Sequence, residues 1–329
     1  MHKIIAVDIT GADNGPAEIL KVVKKFAQKN SNFHFILVGN KEDFENYEPL
    51  KNMSIELVAF RISHADTPLA FRKKQDNPIS KIIELLETKK ANIAISAGNS
   101  GVLLANTFLK LKRLNTEYIP GFMAFFPPFE KNDNPKLVLD VGANLTVKPE
   151  GLVGFARMAT SFYQHYYGVS RPTVGLLSNG TEKWKGLEHI QLAHELLEKD
   201  KKIHFYGNVE SKDLVNLPVD ILVGDGWTSN IALKSMEGAL KYLGQSIKLS
   251  IKENNLKTKI GGLLVKKTLT NVANKFDHRK AGGALIIGFD SLIIKAHGSS
   301  DEISFEAVFE QAKNILDKEI LKKLKKDIL

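Results

Sequence analysis

The 329-residue sequence predicts an α/β fold built on a largely parallel sheet, and three observations carry that expectation. Short apolar, β-branched runs recur along the whole chain, nearly all of them end in Gly, Asp, Asn or Ser, and amphipathic stretches separate them. Strands that are apolar on both faces need helices on both faces, which is how parallel βαβ units are built. In such sheets ligands bind beyond the carboxyl ends of the strands, so the loops there are the place to look for chemistry.

The elements follow in order. Strand 3–8 leads into a helix at 17–28, strand 33–39 comes next, and 55–58 is a third short strand. A helix at 80–89 precedes strand 92–96, which opens helix 102–111; strand 137–140 leads into helix 152–167. The second half repeats the habit with strand 173–178, helix 187–198, strands 203–207 and 220–224, helix 231–243 and the strand-like 292–294. No linker or low-complexity segment divides the chain, so one α/β unit over 1–329 is expected, with 243–280 as a helical protrusion.

Composition narrows the function classes. With 43% hydrophobic and 25% charged residues the chain has ample material for a core. The absence of cysteine excludes disulfides, thiolate metal sites and a cysteine acyl-enzyme, and fits a reducing compartment. The first residues reach Asp8 after four apolar positions, too few for the apolar region of a secretory signal. No run approaches the roughly 18 apolar residues of a spanning helix; 284–296 is interrupted by Asp290 and Lys295. The net charge of +9 fits solvated lysines, an acidic partner protein or an anionic lipid surface. Nucleic acid is not expected, because no binding motif or basic run with interleaved aromatics is present.

Four strand-end loops are rich in Gly, Asn, Ser and Asp. Ser96-Ala97-Gly98-Asn99-Ser100-Gly101 closes one strand and opens a helix. Asp140-Val141-Gly142-Ala143-Asn144 precedes Lys148-Pro149-Glu150, with Pro149 suited to a first helical turn. Asn179 to Gly186 carries Lys183 and Lys185, and Asp225-Gly226-Trp227-Thr228-Ser229-Asn230 leads into a helix with Lys234 one turn inside. Glycines, amides, hydroxyls and helix starts together offer donors to an anion. Each loop alone is equally an ordinary left-handed turn or cap; all four at strand ends favour a phosphate-type site. No nucleotide fingerprint occurs. His297, in Lys295-Ala296-His297-Gly298-Ser299-Ser300, reads either as an acid/base or anion ligand or as a buried ring bonded to backbone. Asp8, Asp13, Asp140 and Asp225 read as loop-fixing carboxylates more readily than as a metal site, so neither metal nor cofactor is expected.

In this order the segments resemble the PlsX family of phosphate acyltransferases, collinearly over essentially the whole chain. Besides the loops above, the resemblance runs through Val7-Asp8, Gly11-Ala12-Asp13, Arg72-Lys73-Lys74, Gly207-Asn208-Val209-Glu210, Glu237-Gly238, Gly282-Gly283 and the His297 segment. The chain departs from the family pattern at Gly11-Ala12, at Asn77-Pro78 and at Thr181-Glu182-Lys183-Trp184. At the last of these the usual run of glutamates gives way to a more basic and aromatic mouth. The resemblance implies a three-layer α/β/α sandwich of the isocitrate/isopropylmalate dehydrogenase type with a large, mostly parallel mixed sheet, a homodimer, and a cytoplasmic protein peripheral to an anionic membrane. It implies transfer of an acyl group from acyl carrier protein to inorganic phosphate, giving acyl phosphate for a glycerol-3-phosphate acyltransferase in phospholipid synthesis.

Phosphate is itself the nucleophile, so the site has to bind, desolvate and aim it, and to stabilise the oxyanion. The implied roles are charge from Lys185 and Lys234, anion contacts from Asn99, Ser100 and Asn230, and orientation or proton movement by Asp225 and His297. Ser96, Gly98, Gly101, Asp140, Gly142, Asn144, Lys148, Gly186, Asn208, Gly226 and Ser299 complete the expected binding loops. Arg72, Lys73, Lys74 and Lys183 are candidates for a basic rim that meets an acidic carrier.

Two basic amphipathic segments stand apart. Ile260, Leu263, Leu264, Leu269, Val272 and Phe276 recur near helical periods among Lys257, Lys259, Lys266, Lys267 and Lys275, as in a partner-packing or membrane-surface helix. Leu316, Ile320, Leu321 and Leu324 with Lys322, Lys323, Lys325 and Lys326 read as a surface helix packed by its apolar stripe. Rival readings are a phosphate acetyl- or butyryltransferase using acyl-coenzyme A, a silent carrier- and membrane-binding scaffold and, more remotely, a decarboxylating dehydrogenase.

Overall fold

The computed structural model describes residues 3–128, 133–253, 255–275 and 281–329. The order is β1 (Lys3–Asp8), α1 (Pro16–Lys29), β2 (Phe33–Gly39), β3 (Met53–Leu57), α2 (Pro78–Glu87), β4 (Ile93–Ser96) and α3 (Ser100–Lys110). Then come β5 (Gly121–Phe126), β6 (Lys136–Leu139), α4 (Pro149–Tyr167), β7 (Thr173–Ser178), α5 (Glu188–Lys199), β8 (His204–Glu210) and β9 (Ile221–Val223). The chain closes with α6 (Gly226–Glu253), α7 (Leu256–Lys275), β10 (Ala284–Ile287), β11 (Leu292–Lys295), α8 (Glu302–Asp317) and α9 (Ile320–Ile328).

The strands form one sheet in the order β3-β2-β1-β4-β11-β10-β5-β6-β9-β7-β8. The expected α/β sandwich on a mostly parallel mixed sheet is present. Strands β3, β2, β1, β4 and β11 pair in parallel, as do β6, β9, β7 and β8. Between these blocks β10 is antiparallel to both β11 and β5, and β5 is antiparallel to β6. Counting the reversals, the two parallel blocks run in opposite directions. The carboxyl ends of the two blocks point opposite ways, and the centre of the sheet joins them.

Strands β5 and β10 are absent from the sequence reading. The β5 run Gly121-Phe122-Met123-Ala124-Phe125-Phe126 lacks the β-branched residues that mark the other strands, although its three phenylalanines suit a strand. Strands β10 and β11 fall in one apolar run that a turn divides, with Gly288 at φ 102°.

Side chains of alternate strand positions divide the core between the two faces. Ile5 and Val7 of β1 pack into a cluster with α1, α4, α5, α8 and α9, whereas Ala6 faces the cluster of α2 and α3. A third cluster joins Val138, Leu177 and Leu222 to the first turns of α6. Helix starts are set by local chemistry: Asn77 Oδ1 accepts from Ser80 N at 2.9 Å, Asp301 Oδ1 accepts from Ser304 N at 3.0 Å, and prolines begin α1, α2 and α4. The C-terminal basic helix is α9: Ile320 and Leu324 of its expected stripe are buried, Leu321 and, on α8, Leu316 are partly buried, and Ile328 joins them.

Of the segment 243–280, the described residues belong to the distal part of α6 and to α7, where Gly262 packs on Ile251. Phe276, expected in its apolar stripe, lies outside the described residues. Leu256, Leu263 and Leu264 of α7 are among the most exposed apolar side chains of the protein. No helix among the described residues is long and apolar enough to cross a membrane.

Candidate active site

A cleft of 1990 Å³ opens where the two blocks of the sheet meet. Its walls are the loops after β4, β6 and β11, one face of β5, and the α6–α7 pair. Phe122, Ala124 and Phe126 alternate along β5 and present that face. The cleft is polar at the strand-end loops. It becomes apolar along α6, where Leu233, Met236, Leu240, Leu243 and Ile247 recur at intervals of three and four.

Of the expected residues, Gly98, Ser100, Gly142, Asn230, Lys234, His297 and Ser299 line this cleft. Asn230 is placed by the loop after β6. Gly142 has φ 136°, and a Cβ there would stand 2.6 Å from Asn230 Nδ2, so only glycine lets that carboxamide cross the loop. His297 is exposed rather than buried, with Nδ1 2.8 Å from Ser299 Oγ.

Several other expected binding residues are spent on holding the loops. Asp140 is fully buried and accepts from the backbone of Phe122, Gly142, Ala143 and Asn144 at 2.7–3.1 Å, and from Asn144 Nδ2 at 2.9 Å. Asn144 Nδ2 also donates to the Pro120 carbonyl, while the Asn144 carbonyl accepts from Gly226 N. Asn99 caps α3 through Val102 N and donates to the carbonyls of Ser63, His64 and Asp66. Asp225 caps α6 by accepting from Thr228 N and Oγ1 at 2.8 and 2.9 Å. Ser96 Oγ donates to buried Asp8 at 2.7 Å and accepts from Gly98 N. None of these groups lines the cleft: Asp140 and Asp225 fix loops, as their sequence reading has it, and the hydrogen bonds of Asn99, Asn144 and Ser96 go to neighbouring loops and, for Ser96, to the Asp8 carboxylate.

Gly226 and Gly101 are packing positions, tight against Asn144 and Pro68. Lys148 is exposed at the start of α4. Lys185 and Gly186 belong to the loop after β7, where Lys185 lies across Gly180 and Gly186 has φ 92°. That loop is tied down from α5 and β8: Asn208 Nδ2 donates to the Glu182 carbonyl at 2.8 Å, and Asn208 Oδ1 is 2.9 Å from the buried His194 Nδ1. Lys183 is paired with Glu198 and Lys74 with Asp66, so neither is a free rim charge. The basic wall belongs instead to Lys241, Lys248, Lys252, Lys259 and Lys266, which line the helical part of the cleft.

Asp13, His64 and Lys295 also line the polar end, and none was among the expected binding residues. His64 Nε2 is 3.4 Å from Asp13 Oδ1, and Asp13 N donates to the Gly298 carbonyl, tying the β1 loop to the β11 loop. Burial pushes the Asp8 carboxyl up, against hydrogen bonds from Ser96 and Thr10, and pushes Asp140 up against its ring of backbone donors. Burial brings the Lys295 ammonium down to about 8, opposed by the carboxylates of Asp8 and Asp13. No group of three or more His, Asp or Glu side chains among the described residues has the spacing of a metal site.

A sequence model of the family described as "Fatty acid synthesis protein" matches residues 3–323. The chain is 34% identical to the phosphate acyltransferase of Mesoplasma florum over 334 residues, covering 100% of each chain. It is 36% identical to that of Caldicellulosiruptor saccharolyticus, covering 98% of each. The chain belongs to the PlsX phosphate acyltransferase family. Its fold is that of a branched-chain phosphotransacylase from Enterococcus faecalis, with a TM-score of 0.59 at 16% identity over 94% of this chain and 98% of that one. A phosphotransacetylase from Streptococcus pyogenes gives 0.58 at 13% identity over 95% and 94%. As a phosphate acyltransferase, the protein must place a small anion against an acyl carbonyl. Its cleft brings hydroxyl, carboxamide and ammonium groups to the start of an apolar trough.

Proposed function

We propose that the protein transfers a long acyl group from acyl carrier protein to inorganic phosphate, and that the acyl phosphate feeds phospholipid synthesis. The observation that carries this reading is the continuity of the cleft, from donors at Gly98, Ser100, Asn230 and His297 into the apolar stripe of α6. Between Asn230 and Ile247 that helix rises about 25 Å, room for an extended acyl chain. Phosphate sits at the polar end, with Asn230 and Ser100 as anion donors and Lys234 supplying charge. Attack on the thioester carbonyl builds an oxyanion that the same donors stabilise. Lys185, on the β7 loop outside the cleft lining, adds positive charge, and His297 moves the proton that leaves phosphate and arrives on the carrier thiol. Asp225 acts through the first turn of α6, which presents Asn230.

The basic wall from Lys241 to Lys266 supports an acidic carrier as donor, since complementary charge speeds and orients encounter. The exposed leucines of α7 among lysines support a homodimer whose helix tips rest on an anionic membrane, where a glycerol-3-phosphate acyltransferase takes up the product.

Purified protein incubated with palmitoyl-carrier and phosphate, then quenched with hydroxylamine, tests the reading. Phosphate-dependent palmitoyl hydroxamate is the expected product. Formation from palmitoyl-coenzyme A but not from palmitoyl-carrier would replace the proposal with a coenzyme A-dependent phosphotransacylase.

A further inference from the structure

Lys295 ends β11 at the floor of the polar end of the cleft. Its Nζ donates to the carbonyls of Ala97 at 3.0 Å and of Ala296 at 2.5 Å, which fixes the ammonium between the loops after β4 and β11. An ammonium has three donors, and two are taken by neutral carbonyls. No carboxylate among the described residues lies within ion-pair distance of it. Asp8 on β1 and Asp13 in the following loop act on it only from farther away, and Asp8 is engaged by Ser96 and Thr10. His64 faces Asp13, and His297 faces Ser299. A cation that is largely buried, rigidly held and not neutralised by a direct partner is costly unless an anion joins it.

We propose that Lys295 is a direct ligand of inorganic phosphate, its third N–H donating to a phosphate oxygen between Gly98, Ser100 and Ser299. The inference rests on the reading of the cleft as a phosphate acyltransferase site and adds to it the residue that compensates the acceptor's charge. The lowered proton affinity of Lys295 gives the idea a signature. As pH rises through about 8 the ammonium is lost in the free enzyme, and affinity for phosphate falls with it. Arginine keeps its charge over that range.

The test compares wild type, Lys295→Met and Lys295→Arg. The Met variant is expected to raise the KM for phosphate about tenfold to a hundredfold, the loss of one charged hydrogen bond, while the KM for acyl-carrier stays within about threefold. In the wild type kcat/KM for phosphate falls above pH 8, and in the Arg variant that alkaline limb disappears. An unchanged phosphate KM in the Met variant, a rise in the carrier KM instead, or an alkaline limb retained by the Arg variant overturns the proposal. A titration of each protein with inorganic phosphate alone, followed by 31P NMR, keeps the question separate from turnover. If wild type makes no acyl phosphate, the activity reading fails. Lys295 then still stands or falls on whether phosphate binding weakens in the Met variant.

Discussion

Asn208 joins the buried ring of His194 to the Glu182 carbonyl, at 2.9 and 2.8 Å, and so ties α5 and β8 to the loop that carries Lys185. Neither Asn208 nor His194 lines the cleft, and the pair acts on the site through loop position. Asn208→Ala leaves a ring nitrogen and a carbonyl without partners, at a cost of about 1–3 kcal/mol. A urea midpoint lowered at constant slope, with turnover reduced and the KM for phosphate nearly unchanged, is the expected result. A variant as stable and active as wild type removes the tie.

Gly142 and Asn230 are coupled by contact, since a Cβ on Gly142 would stand 2.6 Å from Asn230 Nδ2 at a φ that disfavours side chains. Gly142→Ala is expected to displace Asn230 and lower turnover by about 10²–10³, the range for one lost oxyanion donor. Asn230→Ala does the same, and the double variant is little worse than either single one. Fully multiplicative losses would show that the two act independently.

Lys185 and Lys183 sit two residues apart with different partners. Lys183 is paired with Glu198 at the surface, and Lys185 crosses Gly180. Lys185→Ala is expected to cost about 10²–10³ in turnover, and Lys183→Ala less than about threefold. Equal effects in the hydroxylamine assay would take Lys185 out of the chemistry.

Lys295 gives stability a pH dependence of known sign. Its ammonium is held at about 8 in the native protein against 10.5 for an ordinary lysine, so between those values the unfolded chain binds the extra proton. Stability from this group is therefore present above 10.5 and lost as pH falls through about 8. The difference in unfolding free energy between wild type and Lys295→Met should rise in favour of wild type from pH 8 to 10.5. Taking the difference cancels the tyrosines that titrate nearby. A flat difference contradicts the burial.

Leu263 and Leu264 are exposed on α7. Replacing both with Gln is expected to change stability by no more than about 0.5 kcal/mol per site, because no core contact is lost. Co-sedimentation with anionic vesicles at low salt should fall several-fold. Unchanged vesicle binding refutes a lipid contact through this helix.

The alternation of apolar runs with amphipathic helices, and the glycine-rich strand ends, determined the fold class, the family and much of the cleft's polar lining. Those features are local: strand and helix periods, caps and tight turns are written within a few residues of where they act. Tertiary structure alone decided the rest. The opposed directions of the two sheet blocks depend on the pairing of β5 with β10, which sets Met123 beside Leu285 across most of the second half of the chain. Asn99 and Asn208 stand in loops that read as anion-binding in sequence, yet folding brings them against backbone carbonyls and, for Asn208, the His194 ring. Lys295 reads as the end of a strand. Burial against two carbonyls, without a carboxylate at hand, sets its charge, and burial is a property of the whole packed structure.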